Sequence, residues 1–169
     1  IFRGEYAKAE SHLVSALNSC RAATKPDPRA VSKVLTSLGV LYADKGDTLR
    51  AKSLLDEALT TIKAAAGPDA LETAHVLENI ARFHTQHRQL EKAVKFAREA
   101  LLSLKKHLNA TAPRFARSLM TSADLLDRLG NHKKAQTLYM HVWNLRGRKI
   151  DRHLLSKLSN SYAAQGNLK

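Results

Sequence analysis

The fold is decided by residues 38–59, which read LGVLYADKGDTLRAKSLLDEAL. The second half of this stretch carries one apolar helix face, made by Ala51, Leu55, Ala58 and Leu59. The first half continues an apolar helix face made by Leu35, Leu38, Gly39 and Tyr42. Between the two faces lies Gly46, and glycine readily takes the left-handed conformation that ends a helix. The stretch therefore predicts two antiparallel helices joined by a tight turn.

This helix pair recurs along the chain at intervals of 42 residues. The same slot of the second helix is filled by Ala9, Ala51, Ala93 and Ala135. A small residue also recurs in the first helix of each pair, as Gly39, Ala81, Ala123 and, after a shorter step, Ser159. Arg88 stands where the other turns have glycine. Self-similarity of this kind predicts an all-α fold, an α-solenoid of helix-turn-helix repeats.

Prolines and caps mark the boundaries between repeats. The four prolines, Pro26, Pro28, Pro68 and Pro113, lie outside the apolar faces. Asp27-Pro28 predicts an N-cap followed by proline at the first helical position, and the spacing of Asp69 and Glu72 predicts a capping box. The first helix of each unit, here termed its lead helix, is predicted to begin near Arg29, Leu71, Pro113 and Asp151.

These boundaries divide residues 1–169, a single array, into five units. The predicted units are a partial repeat (1–28), three full repeats (29–70, 71–112 and 113–149) and a second partial repeat (150–169). Both ends interrupt a unit, so we expect further chain or a partner to cover the terminal apolar faces.

The composition narrows the class of protein. The single cysteine, Cys20, cannot form an internal disulfide, and no apolar run approaches the roughly 20 residues of a membrane span. The chain has 28 Lys and Arg against 15 Asp and Glu, a formal net charge of +13. Residues 101–169 hold 13 basic and 3 acidic residues, whereas residues 1–100 hold 15 and 12. The basic C-terminal half predicts a surface that attracts polyanions.

Residues with catalytic or metal-binding potential are few. His84 and His87 could share a helix face, but a zinc site there would still lack cysteine or carboxylate partners. His84 fills the slot of Tyr42, so we expect a partly buried packing histidine. Cys20 has no neighbouring base and is expected to be a half-buried thiol. The sequence has no glycine-rich phosphate loop, carboxylate pair or Ser-His-Asp order, and predicts no enzyme, metal or cofactor.

The pattern resembles the tetratricopeptide repeat. Leu38-Gly39, Tyr42, Gly46 and Ala51 stand at the packing offsets of that family, and the 42-residue period resembles its kinesin-light-chain-like subtype. The resemblance implies a right-handed α-solenoid whose lead helices line a concave face that binds a protein partner. It implies little about which partner, because the fold serves many unrelated roles.

The resemblance and the packing slots together predict the lead-helix residues that face a partner. These are Lys33, Thr36, Val40, His75, Glu78, Asn79, Arg82, Arg117, Met120, Asp124, Ser156, Lys157 and Asn160. Grooves of the kinesin-light-chain-like subtype carry paired asparagines and hold acidic peptides. The corresponding pairs here are Thr36-Ser37, Glu78-Asn79, Met120-Thr121 and Ser156-Lys157. Asn79 alone matches, so the sequence departs from that mode of binding.

Two functions remain open at this stage. One is a protein-protein interaction scaffold or adaptor that binds a peptide or helix along the concave face. The other is a structural subunit of a large assembly, such as an organellar ribonucleoprotein, which would contact nucleic acid only through phosphates. Its basic edge would consist of Lys105, Lys106, Lys133, Lys134, Arg146, Arg148, Lys149 and Arg152. Basic, acid-poor composition is common in mitochondrial proteins, but composition does not assign a compartment.

Overall fold

The computed structural model describes residues 3–109, 112–145, 152–164 and 166. Within these residues the chain forms eight α-helices and no strand, which confirms the predicted all-α fold. The helices are α1 (Arg3–Ala22), α2 (Pro28–Asp44), α3 (Thr48–Ala66), α4 (Leu71–Gln86), α5 (Leu90–His107), α6 (Pro113–Arg128), α7 (His132–Leu145) and α8 (Arg152–Ala164).

Neighbouring helices pack in chain order. The pairs are α2 with α3, α4 with α5 and α6 with α7, and each pair also contacts the next helix along the chain. The lead helices are therefore α2, α4, α6 and α8, and the second helices are α1, α3, α5 and α7. Because helix direction alternates, the turns within pairs lie at one edge of the solenoid, termed the turn edge. The links between repeats lie at the opposite edge, termed the linker edge.

Capping interactions predicted from the sequence are present at the start of α2 and absent at the start of α4. The Asp27 side chain accepts a hydrogen bond from the backbone N–H of Arg29 (2.9 Å), as the predicted N-cap requires. The capping box of Asp69 and Glu72 is wrong, because Ala70 is the N-cap of α4 and makes no side-chain cap bond. The predicted start at Asp151 lies outside the described residues.

The turns within the three helix pairs, α2–α3, α4–α5 and α6–α7, share one backbone geometry. This includes the α4–α5 turn, which lacks glycine. In each, the residue after the turn donates its N–H to the carbonyl five residues earlier: Asp47 to Tyr42, Gln89 to His84 and Asn131 to Leu126. This pattern requires positive φ, which is 83° at Gly46 and 78° at Gly130. Arg88 takes the same conformation, with φ of 57°, although it is not glycine. The hydrogen bonds of the helix pair therefore impose the turn on Arg88.

Small residues allow the helices of each pair to pack closely. Ala51, Ala93 and Ala135 are all fully buried. Gly39 of α2 lies against Leu55 of α3, where a Cβ would come within 2.7 Å of the leucine Cγ. The repeated small slots are thus the positions at which one helix of a pair meets the other.

Candidate functional site

The lead helices α4 and α6 border an open groove of about 560 Å³. Its apolar lining residues include Ala81, Ala97 and Leu125. In contrast, α2 and α4 contact each other directly, and the cleft beside Val40 and Phe83 is too narrow to hold a water molecule. The groove between α4 and α6 is therefore an open part of the predicted concave face, and it is termed the lead-helix groove.

Four arginines and two carboxylates line the lead-helix groove. The arginines are Arg82, Arg114, Arg117 and Arg128, and the carboxylates are Glu78 and Asp124. Counting these side chains gives a local charge of +2.

Both carboxylates already have partners within the protein. Arg114 Nη2 lies 3.0 Å from Glu78 Oε2. Asp124 Oδ1 accepts a hydrogen bond from the Tyr139 hydroxyl (2.6 Å) and lies 3.1 Å from Lys157 Nζ. These contacts leave the two acidic groups engaged and unable to neutralise the other arginines of the groove.

The remaining arginines have no carboxylate partner in the part of the chain that the structure describes. They are Arg82, Arg117 and Arg128. The Arg82 guanidinium donates to Asn79 Oδ1 (3.0 Å), and Asn79 in turn donates to the His75 carbonyl (2.9 Å). Asn79 therefore orients Arg82 along the groove, and the positive charge of this surface is available to a ligand.

The environment of His75 disfavours the charged form of its imidazole. Burial of the imidazole and then the nearby Arg114 charge lower the pKa of His75, and Glu78 offsets this only in part. The positive character of the groove therefore comes from its arginines and does not depend on pH between about 7 and 9.

The structure places six of the predicted concave residues at the lead-helix groove, six elsewhere on the lead helices, and one, Thr36, inside a helix pair. His75, Glu78, Asn79, Arg82, Arg117 and Asp124 are brought together around the lead-helix groove. Lys33, Val40, Met120, Ser156, Lys157 and Asn160 lie elsewhere on α2, α6 and α8. Lys33, Ser156 and Asn160 are exposed, whereas Val40 and Met120 are half-buried.

Thr36 is a correction to the predicted set. Its side chain is 3% exposed, and its hydroxyl donates to the Ser32 carbonyl (2.7 Å). Ser32 itself donates to the Ala58 carbonyl of α3 (2.9 Å), so this side of α2 packs inside the helix pair. Thr36 is therefore not available to a partner.

The sequence reasoning missed Arg114, which follows the helix-starting Pro113. It lines the groove and neutralises Glu78, a residue of the preceding repeat. The only signal for this ion pair in the sequence was a basic residue at the start of one lead helix together with an acidic residue in the preceding lead helix. Their pairing depends on the spacing between α4 and α6, which the sequence does not give.

The predicted basic edge is divided between the two edges of the solenoid. Lys105 and Lys106 end α5 at the linker edge, where α8 also begins with Arg152, whereas Lys133 and Lys134 begin α7 at the turn edge. The 18 residues of α5 separate these edges by about 25 Å. Lys106 also pairs with Asp69 (Nζ to Oδ2, 2.5 Å). Arg146, Arg148 and Lys149 lie outside the described residues.

His84 and Cys20, which the sequence singled out, have packing environments. His84 is 6% exposed, its ring stacks on Phe96, and its Nδ1 lies 2.8 Å from Gln89 Oε1. Burial lowers the pKa of His84, in spite of the Gln89 contact. Cys20 is half-buried. Across residues 3–109, 112–145 and 152–164, no three metal-ligating side chains cluster, and no helix is both long and apolar enough to span a bilayer.

Comparison with known proteins agrees with this architecture. Residues 30–106 match the sequence model of a tetratricopeptide repeat. BtubC (BKLC) from P. vanneervenii superposes with a TM-score of 0.87 at 22% identity, covering 97% of this chain and 68% of its own. A candidate kinesin light chain of P. anserina, with nearly identical TPR-like repeats, gives 0.81 at 16% identity, covering 98% and 81%. A search of curated protein sequences gives no significant match.

Residues 30–106 are thus similar to the tetratricopeptide repeat, and the described residues as a whole share the helical-repeat fold of the two structural neighbours. The 42-residue period fits the predicted kinesin-light-chain-like subtype, and one of the two structural neighbours is itself described as a kinesin light chain. Tetratricopeptide repeats are interaction scaffolds that bind protein partners.

Proposed function

We propose that the chain is a non-enzymatic interaction module that holds an acidic segment of a partner protein in the lead-helix groove. The observation that carries this proposal is the set of three arginines, Arg82, Arg117 and Arg128, which border an open groove without carboxylate partners of their own. A guanidinium presents a planar set of donors that matches a carboxylate in a bidentate manner.

The apolar lining of the groove is the second feature that a peptide ligand would have to match. Ala81, Ala97 and Leu125 form a floor of apolar, almost fully buried side chains, on which a ligand can lie between the charged groups. A peptide that alternates carboxylates and aliphatic residues matches both features. The proposal does not need the paired asparagines of the subtype, because arginines provide the donors here.

Charge reversal at Arg82→Glu together with Arg117→Glu is expected to weaken such a peptide about a hundredfold. Each reversal removes an attractive pair and adds a repulsive one close to the ligand. Isothermal titration calorimetry with a synthetic peptide of alternating glutamate and leucine would measure the change.

A control of equal charge is available on surfaces far from the groove. Lys8 of α1 and Lys25 of the following link are both exposed, so Lys8→Glu with Lys25→Glu changes the net charge by the same amount. This variant should bind almost as tightly as the wild type. If the control and the groove variant lose the same affinity, the attraction is a property of the overall charge and the proposed site is wrong.

The assembly-subunit function is a second candidate, supported by the charge of α7. This helix contains no acidic residue, and its Lys133 and Lys134 are exposed. In this role the chain would dock on RNA or another polyanion through phosphate contacts that do not read sequence.

Affinity for single-stranded RNA is then expected to fall steeply with salt. The logarithm of the binding constant should decrease by about 0.7 per neutralised phosphate for each unit increase in log salt concentration. Replacing Lys133, Lys134, Arg146, Arg148 and Lys149 by glutamine should flatten that slope in a filter-binding or anisotropy titration. An unchanged slope after this replacement would eliminate the second candidate.

A further inference from the structure

We propose that a second groove, between the second helices α5 and α7, binds an acidic amphipathic helix of a partner protein. This groove, termed the second-helix groove, has a volume of about 490 Å³. Ser122 and Leu126 of α6 line it between the two second helices. It shares no lining residue with the lead-helix groove, so the two surfaces can be occupied independently.

Aliphatic side chains from all three helices make the second-helix groove apolar. They are Val94, Leu101, Leu102, Leu126 and Leu138. Leu102 is 52% exposed, which is unusual for a leucine that borders an apolar concavity. Covering these side chains removes apolar surface from water and favours association.

The repeat supplies an internal comparison for the outer part of this groove. Forty-two residues earlier, Lys52 and Thr60 occupy the positions of Val94 and Leu102. Both earlier residues are polar and exposed, as expected for a surface in contact with water. The aliphatic character of the later position is therefore not a requirement of the fold.

The residues that line the inner part of the groove also differ between the two repeats. His84 and Phe96 occupy the positions of Leu126 and Leu138 one repeat earlier. Their rings stack in parallel with centroids 5.4 Å apart, so they fill the space between α4 and α5. Leu126 and Leu138 make no such ring stack, and an open groove lies beside them.

One buried polar atom in the groove has no partner. Ser122 is 7% exposed, and its hydroxyl makes no hydrogen bond within the described residues. The equivalent residue one repeat earlier is Ile80, which needs none. Because an unpaired buried hydroxyl is costly, Ser122 is suited to a ligand side chain that brings a hydrogen-bonding group to this point.

Charge identifies the kind of occupant. Arg98 and Lys134 line the groove, no acidic residue does, and neither cation pairs with a carboxylate among the described residues. A groove between two helices suits an amphipathic helix with apolar residues at i, i+3, i+4 and i+7, and flanking carboxylates would complement the two cations. A second copy of this chain is disfavoured as the occupant, because each copy has a net charge of +13.

The test uses two synthetic helical peptides of roughly 18 residues, about five turns. They share the same leucine face and differ in their flanks, which carry glutamate in one and lysine in the other. Methyl NMR of the protein labelled at leucine and valine reports which side chains the peptide contacts. The glutamate peptide should shift the methyl signals of Val94, Leu102 and Leu138, and the lysine peptide should bind at least about tenfold more weakly.

Two variants examine charge and shape separately. Arg98→Glu with Lys134→Glu changes only exposed residues and should weaken the glutamate peptide about tenfold. Leu126→His with Leu138→Phe recreates the residues that stack one repeat earlier, and should abolish the shifts of Val94 and Leu102. Circular dichroism establishes that each variant is folded, and Lys8→Glu with Lys25→Glu, which changes the net charge equally at residues that line neither groove, should leave this affinity unchanged.

Three results would overturn the proposal. The first is a glutamate peptide that leaves the methyl signals of the groove unmoved, and the second is equal binding of the lysine peptide. The third is sedimentation of the chain as a dimer that Leu102→Glu dissociates, which would make a second copy the occupant. Because the charge-reversal variant alters no buried residue, the proposal stays testable even if the shape variant does not fold.

Discussion

Tyr139→Ala is expected to lower the free energy of unfolding by about 4 kcal/mol. The Tyr139 side chain is completely buried in the core, together with Ala123 of α6, Val142 of α7 and Leu154 of α8. Removing the ring leaves a cavity among helices that the backbone holds apart, so the neighbours can fill it only in part. Urea denaturation followed by far-ultraviolet circular dichroism would measure the loss.

Tyr139→Phe separates the ring from its hydroxyl. This variant keeps the packing and removes the hydrogen bond to Asp124, at an expected loss of about 2 kcal/mol. Lys157 still lies 3.1 Å from the same carboxylate oxygen, so Asp124 keeps a charged partner. The alanine variant should therefore lose about twice as much stability as the phenylalanine variant, and equal losses would contradict the buried environment of the ring.

The pH dependence of the two proteins gives an independent check. Burial and then the hydrogen bond with Asp124 raise the pKa of Tyr139 above its ordinary value of 10.0. The unfolded chain therefore ionises first, and the stabilisation is complete below pH 10 and is lost as the pH rises above it. Between about pH 9 and pH 11, the wild type should lose more stability than Tyr139→Phe, which has no phenol to ionise.

The helices could be predicted from the sequence because their signals are local. Apolar spacing, the Asp27 cap and the prolines all act within one or two turns, so α2, α4 and α6 begin where the sequence places them, within a residue. The capping box of Asp69 and Glu72 was predicted in the same way and is wrong. Asp69 instead pairs with Lys106 of α5, a contact between residues far apart in sequence.

The lead-helix groove was only partly predictable. The register of the repeat identified the helix faces that carry Arg82, Arg117 and Asp124. It could not show that α2 and α4 close on each other while α4 and α6 leave a groove. The residue types of the groove also conceal how charge is distributed, because ion pairs neutralise Glu78 and Asp124 and leave unpaired arginines beside them.

The two grooves show how a repeat protein acquires distinct surfaces from one pattern. The residues that set the fold, such as Ala51, Ala93 and Ala135, are constant because each lies where two helices meet. The residues that differ between repeats lie at the helix surfaces that border the grooves. Differences between equivalent positions, such as Phe96 and Leu138, are therefore informative about binding, since the helix pair tolerates either.

Gly39→Leu is expected to lower the free energy of unfolding by about 3 kcal/mol or more. A Cβ at Gly39 would lie 2.7 Å from Leu55 Cγ and 3.3 Å from the Ala51 carbonyl oxygen. The first contact forces Leu55 out of its position, and the second involves the backbone of α3, which can move only if the helix pair opens. Chemical denaturation monitored by circular dichroism would show the midpoint falling to lower urea concentration.

The repeat also provides the compensating change for this position. One repeat later, Ala81 and Ala97 pack together where Gly39 and Leu55 meet. Gly39→Ala with Leu55→Ala recreates that combination, and the alanine methyl then occupies space that the leucine has vacated. The loss of stability in the double variant should therefore be smaller than the sum of the two single losses, by about 1 kcal/mol or more. Strictly additive losses would mean that the two side chains do not compete for one space, and that close approach of α2 and α3 is not the reason for glycine at this position.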